Sequence, residues 1–359
     1  MAGGTDDADL IARLRAWSHA RQRLSDPASS VEQALRAVVA VYSTHPTAPL
    51  ALWARTRSFT AAAYRRLDRE RKGVRLPAMR RTVFLVPRSD APRIFTAVRA
   101  APAHALRGLK RHGFSTRDYE RFAKRILSAA AKPVAARDLE EAATIKGEQL
   151  GTVLRALRYE GRLLALAGES LSMSPHLYVA AGARLPGGLD SGDPARALAW
   201  LAGEYLAAYG PARVEDFTWW TGVAKRPART AIESQNTVEV APGLLILRKD
   251  AAAFGRVKRL RDTVDLLPRW DAYTMAYAPD GRRRFVAPDV QRIVYTPIGV
   301  GLAGDGNPVV LVDGQAVGTW TFSLKDGPEV QPFDTLGPKV RKRVDEKLEE
   351  VAGLLARSE

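Results

Sequence analysis

The sequence predicts an α+β fold, mainly α-helical, made of tandem winged-helix (helix-turn-helix) units and a C-terminal β-rich region. Apolar residues recur at helical spacing along most of the chain before residue 256. Two helix-turn-helix openings repeat within that part, and after residue 266 the pattern changes to strands with Asp-Gly turns. With 359 residues, the chain is long enough for two or three domains.

Residues 1–8 are acidic and lack an apolar run, so we expect a disordered leader there. The first winged-helix unit is expected over residues 9–114, beginning with a helix whose apolar positions are Leu10, Ile11, Leu14 and Trp17. Its other helices are expected over residues 31–41, 48–56, 60–67 and 89–98, and alternating residues 81–87 predict a strand.

The second and third units, residues 115–190 and 191–255, open alike, with Lys132-Pro133-Val134 before Asp138-Leu139 and Gly210-Pro211-Ala212 before Asp216-Phe217. Their helices are expected over residues 116–128, 149–160, 194–209 and 225–235, and their two-stranded wings over 162–173 and 238–247. Trp219 and Trp220 are expected in the core. A winged helix that binds another protein instead of nucleic acid is the alternative.

The C-terminal region, residues 256–359, is predicted to be rich in strands. We expect a strand over residues 272–278, a hairpin turn at Asp280-Gly281, and strands 309–312 and 317–322 joined at Asp313-Gly314. Apolar positions on one stripe predict a closing helix over residues 339–355.

The chain is strongly basic, with 55 Lys and Arg against 39 Asp and Glu and a net charge of +16. Such a charge attracts polyanions, so DNA, RNA or an anionic membrane surface are candidate partners. Alternatively, the positive charge only keeps the protein in solution and reflects an arginine-rich composition, without a polyanionic partner. Because no stretch is long enough to span a bilayer, we expect a cytoplasmic protein that does not bind membranes.

Composition also bears on cofactors. Cysteine is absent, which excludes disulfides, a thiol nucleophile and cysteine-based zinc sites. The five histidines form no spaced ligand motif, and the sequence has no phosphate-binding Gly-Lys loop or dinucleotide fingerprint. We therefore expect neither a metal nor another cofactor.

Three basic clusters are candidate DNA contacts. The first is Arg282, Arg283 and Arg284 on the expected hairpin tip, which predicts backbone or minor-groove contact, with a solvated turn as the alternative. The second is Arg80 and Arg81, expected near phosphates, with a solvated strand edge as the alternative. The third is a similar patch, Lys110 and Arg111.

Five runs carry a family resemblance: PLALWARTR (49–57), MRRTVFLV (79–86), AAYGP (207–211), LPRWDAY (267–273) and VDGQAVGTW (312–320). Together, and in this order, they resemble the bacterial winged-helix family of AlkZ-like and YcaQ-like DNA glycosylases, over roughly residues 10–355.

The resemblance implies tandem winged helices and a C-terminal β region that grip double-stranded DNA in a concave basic channel. The implied reaction is hydrolysis of the N-glycosidic bond of alkylated purines. In members linked to antibiotic self-resistance, the targets are bulky N7-guanine or N3-adenine adducts. We expect a monomeric, monofunctional glycosylase of this kind, acting in base excision repair. A non-catalytic winged-helix DNA-binding protein, either a regulator or a lesion binder, is the alternative.

The chain departs from the family at its catalytic motif. Where the family usually carries Gln-x-Gln or Gln-x-Asp, this sequence has Tyr42-Ser43-Thr44, followed by His45 and a proline. Because the family's second polar residue is thought to hold the attacking water, we expect Thr44 and His45 to be the catalytic pair, with Ser43 beside them. Tyr42 is expected to border the lesion. The segment contains no lysine, so we expect water as the nucleophile.

Alternative roles exist for these residues and for the next candidates. His45 and the proline after it could simply end a helix. The hydroxyls of Ser43 and Thr44 could cap the helix that follows Pro46. Trp270 and Asp271 are expected to contact the lesion, the carboxylate as an electrostatic stabiliser or base. Asp271 could instead cap a strand end or pair with Arg269.

Overall fold

The computed structural model describes residues 3–99, 108–173, 177–298, 301–323 and 325–356. Helices and strands alternate along the chain, so the predicted mixture of helix and sheet is confirmed. Every pair between the named strands is antiparallel. The elements up to residue 99 are α1 (Gly3–Arg21), α2 (Val31–Ala37), β1 (Val41–Tyr42), α3 (Thr47–Trp53), α4 (Ala61–Arg69), β2 (Gly73–Pro77), β3 (Val83–Pro87) and α5 (Ala91–Val98).

Two boundaries differ from the sequence prediction in this part. The first helix begins at Gly3, inside the expected disordered leader, and Asp9 supports it by pairing with Arg13 one turn later. Helix α2 stops at Ala37 instead of residue 41, because Val39 adopts a left-handed φ of 62°. The chain then enters strand β1, which places the predicted catalytic segment at a sheet edge.

The first two predicted units share one sheet. Between residues 116 and 184 the elements are α6 (Thr116–Ala129), β4 (Val134–Ala135), α7 (Ala136–Ala143), α8 (Gly147–Tyr159), β5 (Leu163–Leu166), β6 (Leu177–Ala180) and α9 (Ala181–Arg184). The six-stranded order is β1-β3-β2-β5-β6-β4, and Arg75 of β2 lies opposite Ala165 of β5. The two units are therefore joined through backbone pairing.

The next part consists of three helices followed by a hairpin. Its elements are α10 (Pro194–Tyr209), α11 (Val214–Thr221), α12 (Lys225–Glu233), β7 (Thr237–Ala241), β8 (Leu244–Leu247) and α13 (Arg248–Gly255). The prediction of a helix over residues 194–209 is confirmed at both ends. Asp193 caps this helix by accepting the Ala195 amide at 2.8 Å.

The C-terminal region contains a four-stranded sheet of order β14-β13-β12-β9 and a separate β10-β11 pair. Its elements are β9 (Val264–Leu267), α14 (Ala272–Met275), α15 (Gln291–Val294), β10 (Tyr295–Ile298), β11 (Gly301–Gly306), β12 (Val309–Val312), β13 (Gln315–Ser323), β14 (Gly327–Pro332) and α16 (Pro338–Ala356). The strands around Asp313-Gly314 and the closing helix are confirmed as predicted.

Two predictions for this region are wrong. The expected strand over residues 272–278 begins as helix α14, because Asp271 caps a helical turn there. The expected hairpin at Asp280-Gly281 is a 3₁₀ helix, Pro279–Arg284. Two of its three arginine side chains, those of Arg282 and Arg284, are buried, and Arg284 Nη1 donates to the Pro211 carbonyl at 2.8 Å.

The largest hydrophobic core draws residues from all four predicted units, for example Phe84, Leu164, Tyr205 and Met275. A second core packs the first helices against the C-terminal sheet and α16, with Leu35, Trp320 and Val344 among its members. In the part of the chain that the structure describes, no helix combines the length and the apolarity needed to cross a membrane.

A fully buried ion pair lies between these cores. Arg55, just after α3, donates to both oxygens of Asp271, at 2.8 Å from Nη1 and 2.6 Å from Nη2. Both side chains are 0% exposed. The same guanidinium donates to the Ala51 carbonyl, and the carboxylate accepts the Tyr273 amide that begins α14. The pair thus fixes α3 to α14.

We predict that Arg55→Met lowers the free energy of unfolding by roughly 3–5 kcal/mol, because the carboxylate is left buried without its cation. The matched control is Arg57→Met. Arg57 pairs with Asp26 at a site where both side chains are about two-thirds exposed, at 67% and 68%, so its loss should cost less than about 1 kcal/mol. Urea unfolding curves of both variants test this, and equal losses would contradict it.

Candidate active site

The predicted catalytic segment begins as an edge strand. Tyr42 lies opposite Phe84 in the sheet, and the Ser43 amide donates to the Val83 carbonyl at 3.1 Å. These bonds fix the backbone of the segment up to Ser43.

The two hydroxyls of the segment do not cap the next helix. The N-cap of α3 is Pro46, and no side chain there accepts a helical N–H. Thr44 is exposed and Ser43 is partly exposed. The capping alternative is therefore wrong, and the Thr44 hydroxyl is open to solvent.

Tyr42 is part of an aromatic group. Its ring centre lies 4.4 Å from that of Phe84 and 5.4 Å from that of Trp270. Its hydroxyl accepts a hydrogen bond from Arg80 Nη2 at 2.8 Å. The structure thus brings together three residues that the sequence singled out separately, Tyr42, Arg80 and Trp270.

A narrow cavity lies beside these residues. Its volume is about 10 Å³, and the residues that line it include Thr47, Arg80 and Asp271. A space of this size holds about one water molecule, and polar neighbours are what such a water needs. The partly exposed residues among those that line it are Tyr42, Arg80, Trp270 and Ala272.

Asp271 lies at the bottom of this arrangement and not at its surface. Because its side chain is 0% exposed, the expected direct contact with the lesion is wrong, and Asp271 could act on the lesion only through a water molecule or through its charge. It pairs with Arg55 and not with Arg269, and it caps helix α14. Its Oδ2 accepts one N–H, from Arg55, and so retains a lone pair for a further donor.

His45 is turned into the protein. Its Nδ1 lies 2.9 Å from the Ser170 carbonyl and 3.1 Å from the Met173 carbonyl, so Nδ1 carries the proton and donates. Its Nε2 then accepts the Tyr64 hydroxyl at 2.8 Å, and that hydroxyl accepts Arg75 Nη2 at 2.9 Å. Burial, with the nearby Arg75 charge, lowers the pKa of His45 to about 4.

This geometry corrects the expected role of His45 as a base. A neutral imidazole with both nitrogens engaged has no site for the proton of an attacking water. His45 instead joins the predicted catalytic segment to residues 170–173 of the second unit.

Arg80 and Arg81 form the tight turn between β2 and β3. Both have left-handed φ values, 50° and 62°, which is uncommon for residues other than glycine. Tyr159 of α8 donates to the Arg81 carbonyl at 3.0 Å, and a Cβ at Gly222 would lie 3.1 Å from the Arg80 Cα. Arg81 is exposed, whereas Arg80 packs over the Trp219 ring.

The arginine triplet is mostly interior, contrary to the prediction of an exposed tip. Arg282 is 1% exposed and Arg284 is 5% exposed. Arg282 lies 4.2 Å from the centre of the Tyr295 ring, and burial followed by the Arg80 charge lowers its pKa. Only Arg283 is exposed, so it alone of the three is accessible to DNA.

Of the remaining sequence candidates, Trp220 is one of the residues that line the cavity, whereas Trp219, Lys110 and Arg111 are not. Trp220 is 3% exposed, as a core residue should be. Trp219 is only partly buried and is contacted by two arginine side chains. Lys110 and Arg111 are exposed in the second unit.

A contact group around Trp270 was not predicted from the sequence. Arg269 packs over the indole ring at 4.4 Å, and Asp305 binds both the Arg269 guanidinium and the indole N–H. Arg269 was considered only as a partner of the neighbouring Asp271. Asp305 stands in a glycine-rich stretch far along the chain, and no local pattern connects it to Trp270.

Comparisons with known proteins identify a family and a fold. The family model described as "DNA glycosylase AlkZ-like" matches residues 35–354. The structure is similar to that of the Streptomyces sahachiroi DNA glycosylase AlkZ, with a TM-score of 0.76 and 19% sequence identity over 96% of each chain. At that identity, the likeness establishes the fold. No curated protein matches significantly.

We predict that His45 makes stability fall in acid. Its pKa is depressed when folded, so the unfolded chain takes up the proton first. The contribution is complete above the unfolded value of 6.5 and is lost as the pH falls towards about 4. The loss is at most roughly 3 kcal/mol.

Urea unfolding across this pH range should show a smaller loss of stability for His45→Gln than for wild type. His112→Gln is the control and should behave as wild type; an unchanged slope in His45→Gln would contradict the assignment.

Proposed function

The chain belongs to the AlkZ-like DNA glycosylase family, and we propose that it hydrolyses the N-glycosidic bond of alkylated purines in double-stranded DNA. The observation that carries the proposal is the water-sized cavity beside Tyr42, lined by Thr47 and Asp271. It lies at the end of the segment where the family resemblance places the catalytic motif.

The chemistry demands little activation of the water. Alkylation at N7 or N3 makes the purine a cationic leaving group, so its bond to C1′ breaks more readily than that of a normal base. A water held between the Thr47 hydroxyl and Asp271 Oδ2 would attack C1′ as the bond electrons leave with the purine, which departs as a neutral base. The proton that the water loses would pass to the Asp271 carboxylate. The fixed carboxylate also stabilises positive charge that develops on the sugar. The proposed mechanism therefore does not require the polar side chains that the usual Gln-x-Gln or Gln-x-Asp motif would place at the positions of Tyr42 and Thr44.

The same cavity supports water as the nucleophile. None of the residues that line it is a lysine, so no lining side chain offers the amine that a lyase mechanism needs. We therefore propose a monofunctional enzyme.

The purine itself would stay at the mouth of the cavity. Ligand pockets usually measure roughly 300–1,000 Å³, whereas this cavity measures about 10 Å³. The mouth has an aromatic wall, Tyr42 and Trp270, suited to planar rings. We propose bulky N7-guanine adducts of a genotoxic natural product as targets, with a role in DNA repair and self-resistance.

We propose that the helical segments followed by hairpins are winged-helix units that hold the duplex. Exposed cations at four positions are the proposed phosphate contacts: Arg81, Arg283, Lys110 and Arg111. One chain with unequal units suits a monomer on a single lesion better than a symmetric dimer on paired half-sites.

The alternative is a protein that binds lesions without cleaving them, which the altered motif favours. Incubation with duplex DNA containing N7-methylguanine, followed by heat or alkali, separates the two. Strand breaks identify a glycosylase, whereas intact DNA with reduced gel mobility identifies a binder. A covalent adduct trapped by borohydride would contradict water as the nucleophile.

We predict that Thr47→Val lowers the single-turnover excision rate by about 10²-fold, because the water loses a hydrogen-bonding partner while the side-chain volume is kept. Thr47→Ser keeps the hydroxyl and is the matched control, expected within a few-fold of wild type. Excision of N7-methylguanine from a defined duplex measures both. Equal rates in wild type and Thr47→Val would remove the hydroxyl from the mechanism.

A further inference from the structure

Trp270 is held in an unusual backbone conformation. Its φ is 58°, a left-handed value that is an outlier for a bulky residue. The backbone N–H donates to the Gly306 carbonyl at 3.0 Å, and the indole N–H donates to Asp305 Oδ1 at 2.5 Å. Both ends of the residue are therefore tied to strand β11. Strained residues that the surroundings hold so firmly concentrate at functional sites.

A planar cation lies on this ring. The Arg269 guanidinium carbon is 4.4 Å from the ring centre, and its Nε donates to Asp305 Oδ1 at 2.9 Å. Its Nη2 donates to the other carboxylate oxygen. The Arg269 side chain is 46% exposed, whereas that of Asp305 is 14% exposed. The carboxylate is thus largely withdrawn from water, while its cation is at the surface.

We propose that Trp270 and Asp305 form a binding site for the cationic guanine of the lesion, which Arg269 occupies in the free protein. The proposal rests on the function proposed above. Guanine contains a guanidine unit, made of N1, C2, N3 and the exocyclic amine. Its N1–H and amine N–H face a carboxylate in the same two-pronged way as an arginine does. An N7-alkylguanine adds the positive charge that the guanidinium already carries.

The exchange explains how damage is distinguished. Replacing Arg269 by an alkylguanine swaps one planar cation for another, so Asp305 keeps a charged partner and the ring keeps its cation–π contact. A normal guanine is neutral and would leave the buried carboxylate without a cation, which is costly. An alkylated adenine carries charge but lacks the paired N–H donors. The site therefore selects N7-alkylguanine over both.

Binding of the nucleosides 7-methylguanosine and guanosine, followed by tryptophan fluorescence in slightly acidic buffer, tests the proposal. Arg269→Ala removes the internal competitor, so we expect about tenfold tighter binding of 7-methylguanosine. Asp305→Asn should weaken it by at least about tenfold, with Asp305→Glu intermediate. Guanosine should bind weakly throughout. The control is Arg292→Ala, an exposed arginine of α15, which should equal wild type.

Two outcomes would overturn the proposal: Arg269→Ala binding no tighter than wild type, or folded Asp305→Asn and Asp305→Glu both binding as wild type does. Excision by the same preparations separates this from the proposed function. If the wild type excises the lesion but the variants bind 7-methylguanosine as tightly as the wild type does, only the proposed cation site is wrong. If the variants bind as expected but the wild type does not excise the lesion, only the proposed catalytic activity is wrong. A duplex with N7-methylhypoxanthine, which lacks the exocyclic amine, should be cleaved at least about tenfold more slowly than N7-methylguanine.

Discussion

The buried pair of Arg55 and Asp271 is the constraint on which the candidate site depends. It joins the end of α3 to the start of α14, so the helix after the catalytic segment and the loop that carries Trp270 have one fixed separation. The cavity lies where these two elements meet. A buried ion pair adds little net stability compared with apolar packing, but it is very costly to break. Its value here is geometric, because it holds a carboxylate in place without exposing it.

The sequence predicted local elements well and long-range ones poorly. The helix over residues 194–209 follows from apolar spacing and an Asp-Pro start, and both are local signals. The hairpin at Asp280-Gly281 failed because Arg282 and Arg284 find interior carbonyls, one of them on Pro211, which no local pattern encodes.

The same distinction applies to the site. Trp270 and Asp271 were predicted because they stand in a run that resembles the family, and Tyr42 because it stands where the family carries its motif. The structure brings the three together around one cavity. Thr47 lies between that segment and the helix expected over residues 48–56, and no motif marked it. The role expected of His45 failed because its partners, among them Tyr64, are set by tertiary packing. Net charge could not locate the basic surface for a related reason: arginines such as Arg55 and Arg282 lie inside the protein and are not exposed on its surface.

The sheet shared by the first two units has an evolutionary consequence. Strands β2 and β5 pair directly, and the His45 ring is anchored to residues 170–173 beyond β5. A lineage therefore cannot delete the second unit, or exchange it for a module from another protein, without exposing a sheet edge and releasing the predicted catalytic segment. Changes in what the second unit binds must arise by substitution on its surface, while the unit as a whole is inherited together with the candidate site.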